Sequence, residues 1–321
     1  MKIAMMFPGY QSQFVGMGKE LYDEHRIVQE LFEQASSCLD INFVKLCFAS
    51  SDADLATTRN AYTSTFLVSA SLFELLKQKG VQPDVVAGFN HGVYAALFAA
   101  GGLSLPDGLY LLSKFALFYD EAQKDGKFLA IHVSGVEHEQ MQAICMQAST
   151  PDEKAFISIY EIPMQHVIAG NTHAVERVRD MVSALSDEKK ISIEPLDIAV
   201  GLHSELIDPV IDQFKIYLNK VDFHDLSVPM IESLAGKKVT SGKDVHEQIL
   251  VRINSPIMWP VVMKQLARYD LIIEIGPGTV LSKWFKQLYP DKEVMAINKP
   301  KDIEAVLARV KPQAEAPATN S

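Results

Sequence analysis

The chain has 321 residues, 48% of them hydrophobic, and a formal net charge of −10. That length exceeds what one ordinary core needs, so one large domain with a smaller one or an insertion is expected. The acidic balance argues against a nucleic-acid partner. No apolar run reaches the roughly 18 residues of a membrane span, and the start MKIAMMFPG lacks a signal-peptide cleavage pattern; both point to the cytoplasm. Cys38, Cys47 and Cys145 are odd in number and match no zinc or haem spacing, so they read as reduced, buried thiols. Nothing in the pattern calls for a metal or a cofactor.

Taken in order, Lys2 to Phe7 reads as a short apolar strand ending at Pro8-Gly9. The loop Tyr10-Gln11-Ser12-Gln13 follows, at the carboxyl edge of a sheet, where open α/β folds bind ligands. Helical spacing runs from Glu20 to Ala35 and from Asn60 to Lys79, the second stopping at Gly80. Val85 to Ala87 suits a buried strand, and Leu103 to Ala122 reads as a further helix. This is a βαβ rhythm, which favours a largely parallel sheet.

After Lys124-Asp125-Gly126 the pattern changes. Phe128 to Val133, Phe156 to Tyr160, Gln165 to Ala169 and Ile191 to Ile198 are strand-like, and Glu137 to Ala148 and Ala174 to Leu185 helical. The order βαββαβ is that of a ferredoxin-like domain. Beyond it lie helical stretches at Leu206 to Leu218, Val245 to Ile253, Trp259 to Tyr269 and Val280 to Leu288, and strands at Val228 to Ser233 and Leu271 to Ile275. From Lys299 one weak amphipathic turn leads into QAEAPATNS, too polar to order itself.

The organising stretch is Val85 to Leu97, VVAGFNHGVYAAL. Gly88 and Gly92 flank Asn90 between an apolar strand and an Ala-rich helix, the layout of a nucleophile elbow. The unpaired N–H groups at such a helix start suit a developing oxyanion. The central residue of an elbow is normally Ser, whereas an amide is scarcely basic and carries no acyl group. The mould of an acyl-transfer site is present without its reacting atom.

Seven motifs in order, FPGYQSQFVGMG, GFNHGVYAAL, FALFYDEA, IPMQHVIAGN, GLHSELIDP, INSPIMW and EIGPG, resemble the malonyl-CoA:acyl-carrier-protein transacylase family, which includes trans-acting acyltransferases of polyketide pathways. The likeness covers roughly residues 3 to 298. It implies an α/β-hydrolase-like core (1–126 and 199–298) with an inserted ferredoxin-like subdomain (127–198), while composition makes 299–321 a mobile tail. It also implies a monomer that meets an acyl carrier protein, and acyl-CoA, without a cofactor. In the family mechanism a Ser attacks a thioester, a His acts as base, and a phosphopantetheine thiol collects the acyl group.

His203 falls on the catalytic His and Asn90 on the Ser. Tyr10 stands where a Gln backbone N–H helps hold the oxyanion, and the backbone N–H of His91 is the other oxyanion donor. Phe115 aligns with the Arg that clamps the malonyl carboxylate. A carboxylate against that ring would lie desolvated and unpaired, so an uncarboxylated acyl group is expected. Lys114, beside it, would point about 100° away on a helix. The segment before Pro256 is one residue short of the usual pattern, and Asn254 is taken as the residue orienting His203.

Acyl carrier proteins are acidic, so an acidic body needs a local basic patch, for which Lys114, Lys124, Lys127, Lys189 and Lys190 are candidates. Two readings stay open. One is an acyl-carrier hydrolase or transacylase of polyketide or fatty acid biosynthesis in which Asn90 is an engineered or natural replacement. The other is a catalytically dead homologue that binds a carrier or a synthase.

Overall fold

The computed structural model describes residues 1–9, 11–124, 126–185, 190–196 and 203–310. The strands are β1 (Ile3–Phe7), β2 (Val85–Gly88), β3 (Phe128–Ser134), β4 (Ala155–Ile162), β5 (Gln165–Asn171), β6 (Ser192–Leu196), β7 (Met230–Ile231), β8 (Lys238–Val239), β9 (Ile257–Met258), β10 (Leu271–Ile275) and β11 (Glu293–Ile297). The chain divides into two compact units: residues 1–100, 104–109 and 267–321, and residues 101–103 with 110–266.

In the first unit, β1, β2, β10 and β11 form parallel strands in the order β11-β10-β1-β2. Every residue of β1, β2 and β10 is buried. Strands covered on both faces read as continuous apolar runs rather than as alternation, which is why VVA and LII are legible without periodicity. The helix Thr58–Gln78 is buried along most of its length.

Two expectations here need correction. Glu20 to Ala35 is two helices, Lys19–Glu24 and Arg26–Leu39, because His25 is extended (φ −128°, ψ 117°) and its N–H closes the first helix on the Leu21 carbonyl. From Pro300 to Val310 the chain is a full helix rather than one turn. It buries Ile303 and Val306, and Asp302 accepts from the backbone N–H groups of Asn298 and Lys299 at its start. Residues 311–321, the rest of the expected tail, lie outside the described residues, as do Ile198 and Lys189.

The second unit contains the ferredoxin-like βαββαβ. Antiparallel β6, β3, β5 and β4 lie in that order, and β9 adds a fifth strand parallel to β4 through Ile159–Ile257 and Tyr160–Met258. One sheet face packs on the helices His138–Ala148 and Thr172–Ser183, with Ile131, Val133, Ile157 and Ile168 meeting Met141, Ile144, Val175 and Val178. Val228 to Ser233 shrinks to the two residues of β7. The Glu232 carboxylate accepts from the N–H groups of Leu234, Ala235 and Lys237 and turns the chain toward β8, an antiparallel partner absent from the sequence reading. The expectation of three buried thiols also fails at one position: Cys47 and Cys145 are buried, which pushes each thiol up to about 12, but Cys38 is exposed.

Candidate active site

In the first unit the sequence-predicted site residues stand on the turn after β2. Phe89 leads into a short 3-10 turn, Asn90–Gly92, and the helix Val93–Ala99 follows. Asn90 has φ +51°, in the left-handed region that a side chain adopts at a cost of roughly 1–2 kcal/mol and that Asn tolerates better than most residues. The glycines on either side allow close approach. A Cβ on Gly88 would stand 2.2 Å from the Val93 nitrogen, and one on Gly92 would stand 2.3 Å from the Phe7 carbonyl oxygen. Both contacts are with backbone, which cannot swing aside. The strained turn of a nucleophile elbow is therefore built in full.

What it presents differs from the expectation of open donors. The His91 backbone N–H donates to Asn90 Oδ1 at 2.6 Å, so the donor aimed at an oxyanion already holds the amide oxygen of its own turn. The His91 ring leaves in another direction, as the turn geometry requires. It stacks on Tyr62 with centroids 4.1 Å apart, its Nδ1 lying 3.2 Å from the same Asn90 oxygen. Asn90 and His91 are both buried. Tyr10 lies outside the described residues.

His203 belongs to the second unit. His203, also left-handed at φ +58°, is buried, and its Nδ1 bonds the Arg252 carbonyl at 2.7 Å. A carbonyl only accepts, so Nδ1 carries the proton and Nε2 keeps its lone pair, the tautomer of a general base. Burial, and then the positive charge of Arg252, push the imidazole down to about 3 against the small opposing effect of the carbonyl bond. The ring is neutral across the physiological range. Its orienting partner is thus a backbone oxygen; Asn254, taken for that role from the sequence, instead donates to Asp208 Oδ1 at 2.9 Å.

Asn254 and His203 do share a cavity of about 550 Å³, walled by Cys145, Phe156, Tyr160 and Pro256. That volume falls within the usual range of small-molecule pockets. An ion pair between Lys154 and Glu205, 2.5 Å, stands among its lining residues. Phe115 lies on the helix Leu105–Gln123, 8% exposed, with Tyr119 stacked at 5.9 Å and Phe214 edge-on at 5.3 Å. It sits among rings, and a carboxylate there would find no cation from Lys114, whose ammonium lies over Tyr110 and Tyr217.

Two features escaped the sequence. Arg252 matters through both its carbonyl and its charge, and nothing in an isolated VRI string marks it. His132 on β3 bonds Glu161 on β4 at 2.8 Å, with Glu161 only 2% exposed. That bond, reinforced by the charges of Glu161 and Glu194, raises the imidazole against its desolvation. The pairing depends on a register shift between Tyr160 and Ile162, which alternation could not foretell. Glu274, at the end of β10, receives the N–H groups of Leu281 and Ser282 and so caps the helix Val280–Leu288. Among the described residues no group of three or more His, Cys, Asp or Glu could hold a metal ion, and no helix is long and apolar enough to cross a membrane.

Comparison with known proteins agrees with this architecture. Residues 5–316 match the family model described as the acyl transferase domain. The chain is 30% identical over 312 residues to the malonyl CoA-acyl carrier protein transacylase of Bacillus subtilis strain 168, covering 97% of this chain and 98% of that protein. It is 26% identical over 309 residues to the protein of the same description from Escherichia coli K12, covering 95% and 99%. Among solved structures, an acyl carrier protein S-malonyltransferase from Vibrio cholerae matches with a TM-score of 0.89 at 27% identity, covering 95% and 100%.

Proposed function

The chain belongs to the acyl transferase domain family, and on that premise we propose that it binds acyl carrier protein thioesters in fatty acid or polyketide biosynthesis without forming an acyl-enzyme. Asn90 and His91 are its elbow residues, Tyr10 its oxyanion-side loop residue, and His203, Phe115 and Asn254 its base, its acyl-side ring and a pocket wall. The observation that carries the reading is the Asn90 oxygen on the His91 N–H. A Ser at this position would offer an attacking hydroxyl, whereas Asn90 offers a carbonyl that occupies the very donor a thioester oxygen would need.

The test is intact-mass analysis after incubation with butyryl-CoA and with malonyl-CoA. The chain as it stands is expected to stay unmodified, and Asn90→Ser to gain an acyl group, faster from butyryl-CoA. An acyl adduct on residues 88–93 of the unaltered chain would end the proposal.

A second reading, recognition of a malonyl group, is supported by the relatives, which are described as malonyl CoA-acyl carrier protein transacylases. In that case Asn90→Ser takes malonyl faster than butyryl.

A further inference from the structure

Resting on that reading, we propose that the face shared by the helices Leu105–Gln123 and Asp208–Leu218 is the docking surface for the carrier protein, taking an acidic amphipathic helix of that partner. The cations that converge in space differ from those suggested by the sequence. Lys114 places its ammonium 5.1 Å from the centre of the Tyr217 ring and Lys220 places its own 5.2 Å from the same centre, so the two charges stand no more than about 10 Å apart. Lys114 also lies 5.8 Å from the Tyr110 ring, and Phe118 packs against Tyr217 at 5.3 Å. Among the described residues neither lysine enters an ion pair.

Two unneutralised cations held over one ring, on a chain of net charge −10, are an arrangement that the isolated protein gains little from. The same two helices leave Leu117 54% and Ile216 60% exposed. Aromatic platforms, aliphatic side chains and fixed cations together are the composition of an interface rather than of ordinary solvated surface. Positive charge framing an apolar strip complements a helix with an apolar stripe and acidic flanks, and an acyl carrier protein is acidic throughout. The rings hold the ammonium groups in place before binding, which reduces the ordering that association would otherwise demand.

The test is the affinity of the full chain for a purified bacterial acyl carrier protein in its holo form, measured by calorimetry at two salt concentrations, with a polyglutamate peptide as the control ligand. Lys114→Glu with Lys220→Glu is expected to weaken carrier binding by on the order of tenfold or more and to flatten its salt dependence. Reversing Lys45 and Lys301, which lie elsewhere on the surface, is expected to leave it unchanged. Tyr217→Ala, which removes the platform but no charge, should weaken binding to a lesser degree. Thermal melts of each variant separate loss of binding from loss of fold. If the carrier binds the unaltered chain and the double reversal equally well, this surface is wrong while the proposed function stands. If polyglutamate binds as tightly as the carrier, the face is a polyanion site and the docking proposal fails. If the unaltered chain binds no carrier at all, the functional reading falls and this inference with it.

Discussion

The turn at Asn90 and the loop at His203 both carry a buried, left-handed residue, yet the two differ in what they offer. The turn preserves a backbone frame, two glycines in contact with neighbouring main chain, and lacks a group that can react. The loop preserves a reactive group, an imidazole whose proton is fixed on Nδ1 by the Arg252 carbonyl. A frame made of backbone contacts is part of the fold and survives the loss of its side chain. An imidazole held by a hydrogen bond to a loop carbonyl is a local feature that survives only while that bond and its burial do. The difference can be probed by variants that strike each separately.

The largest effect is expected at the frame. Gly88→Ala or Gly92→Ala drives a methyl group into main chain at 2.2–2.3 Å, and neither the Val93 nitrogen nor the Phe7 oxygen can yield without breaking the β1–β2 register from Ala4–Val85 to Phe7–Gly88. Overpacking of this kind costs about 3 kcal/mol or more. Urea unfolding would read it as a fall in midpoint at constant slope. A loss under 1 kcal/mol would mean that the turn is not tied to the sheet.

At the loop the expected signal is a pH dependence. His203 is held at about 3 and His166 at about 4, both chiefly by burial, whereas the unfolded chain takes up each proton near 6.5. A depressed imidazole contributes stability that is present above pH 6.5 and is lost as the pH falls below it, each group by about 1.4 kcal/mol per pH unit. His132 runs the other way: its raised value contributes below 6.5, and that contribution fades as the pH rises through its folded value. Hence His203→Gln should reduce the acid slope of unfolding free energy between pH 6 and 4 by one proton while leaving the slope due to His166 intact. An unchanged slope would show that His203 is not sealed from solvent.

How much of this was legible follows the same division. The elbow could be read from VVAGFNHG because close backbone approach demands glycine, and the demand is local in sequence. The βαββαβ order could be read because each of those strands is rich in apolar and β-branched residues and is set off by turn residues or helical spacing. The two-residue strands β7, β8 and β9 left no period to detect, and β9 exists only through its pairing with β4. The Arg252–His203 bond spans 49 residues, and the His132–Glu161 pair 29 across a bulge; both are set by tertiary contact. Phe115 was legible as a lost cation, but the rings around it come from Tyr119 on its own helix and Phe214 on another, and only the first is visible at helical spacing.

The smallest effect, and the one that bears most directly on the comparison, is expected from Asn90→Ser. If the frame owes its stability to Gly88 and Gly92, the residue between them adds its left-handed preference and the contacts of its amide oxygen with the His91 N–H and ring Nδ1. Ser tolerates φ near +50° less well than Asn but can offer its hydroxyl oxygen to a neighbouring N–H, so the two terms offset in part. A change in stability of no more than about 1 kcal/mol is expected. Asn90→Gly, which removes the side-chain bond and relieves the strain together, should fall within about 0.5 kcal/mol of the unaltered chain. A larger loss in Asn90→Ser would make the amide oxygen a structural plug that the turn requires. The absence of a nucleophile would then be bound up with the stability of this particular fold, and restoring Ser would have to be accompanied by a second change near Tyr62 or His91 before any acyl transfer could be read from it.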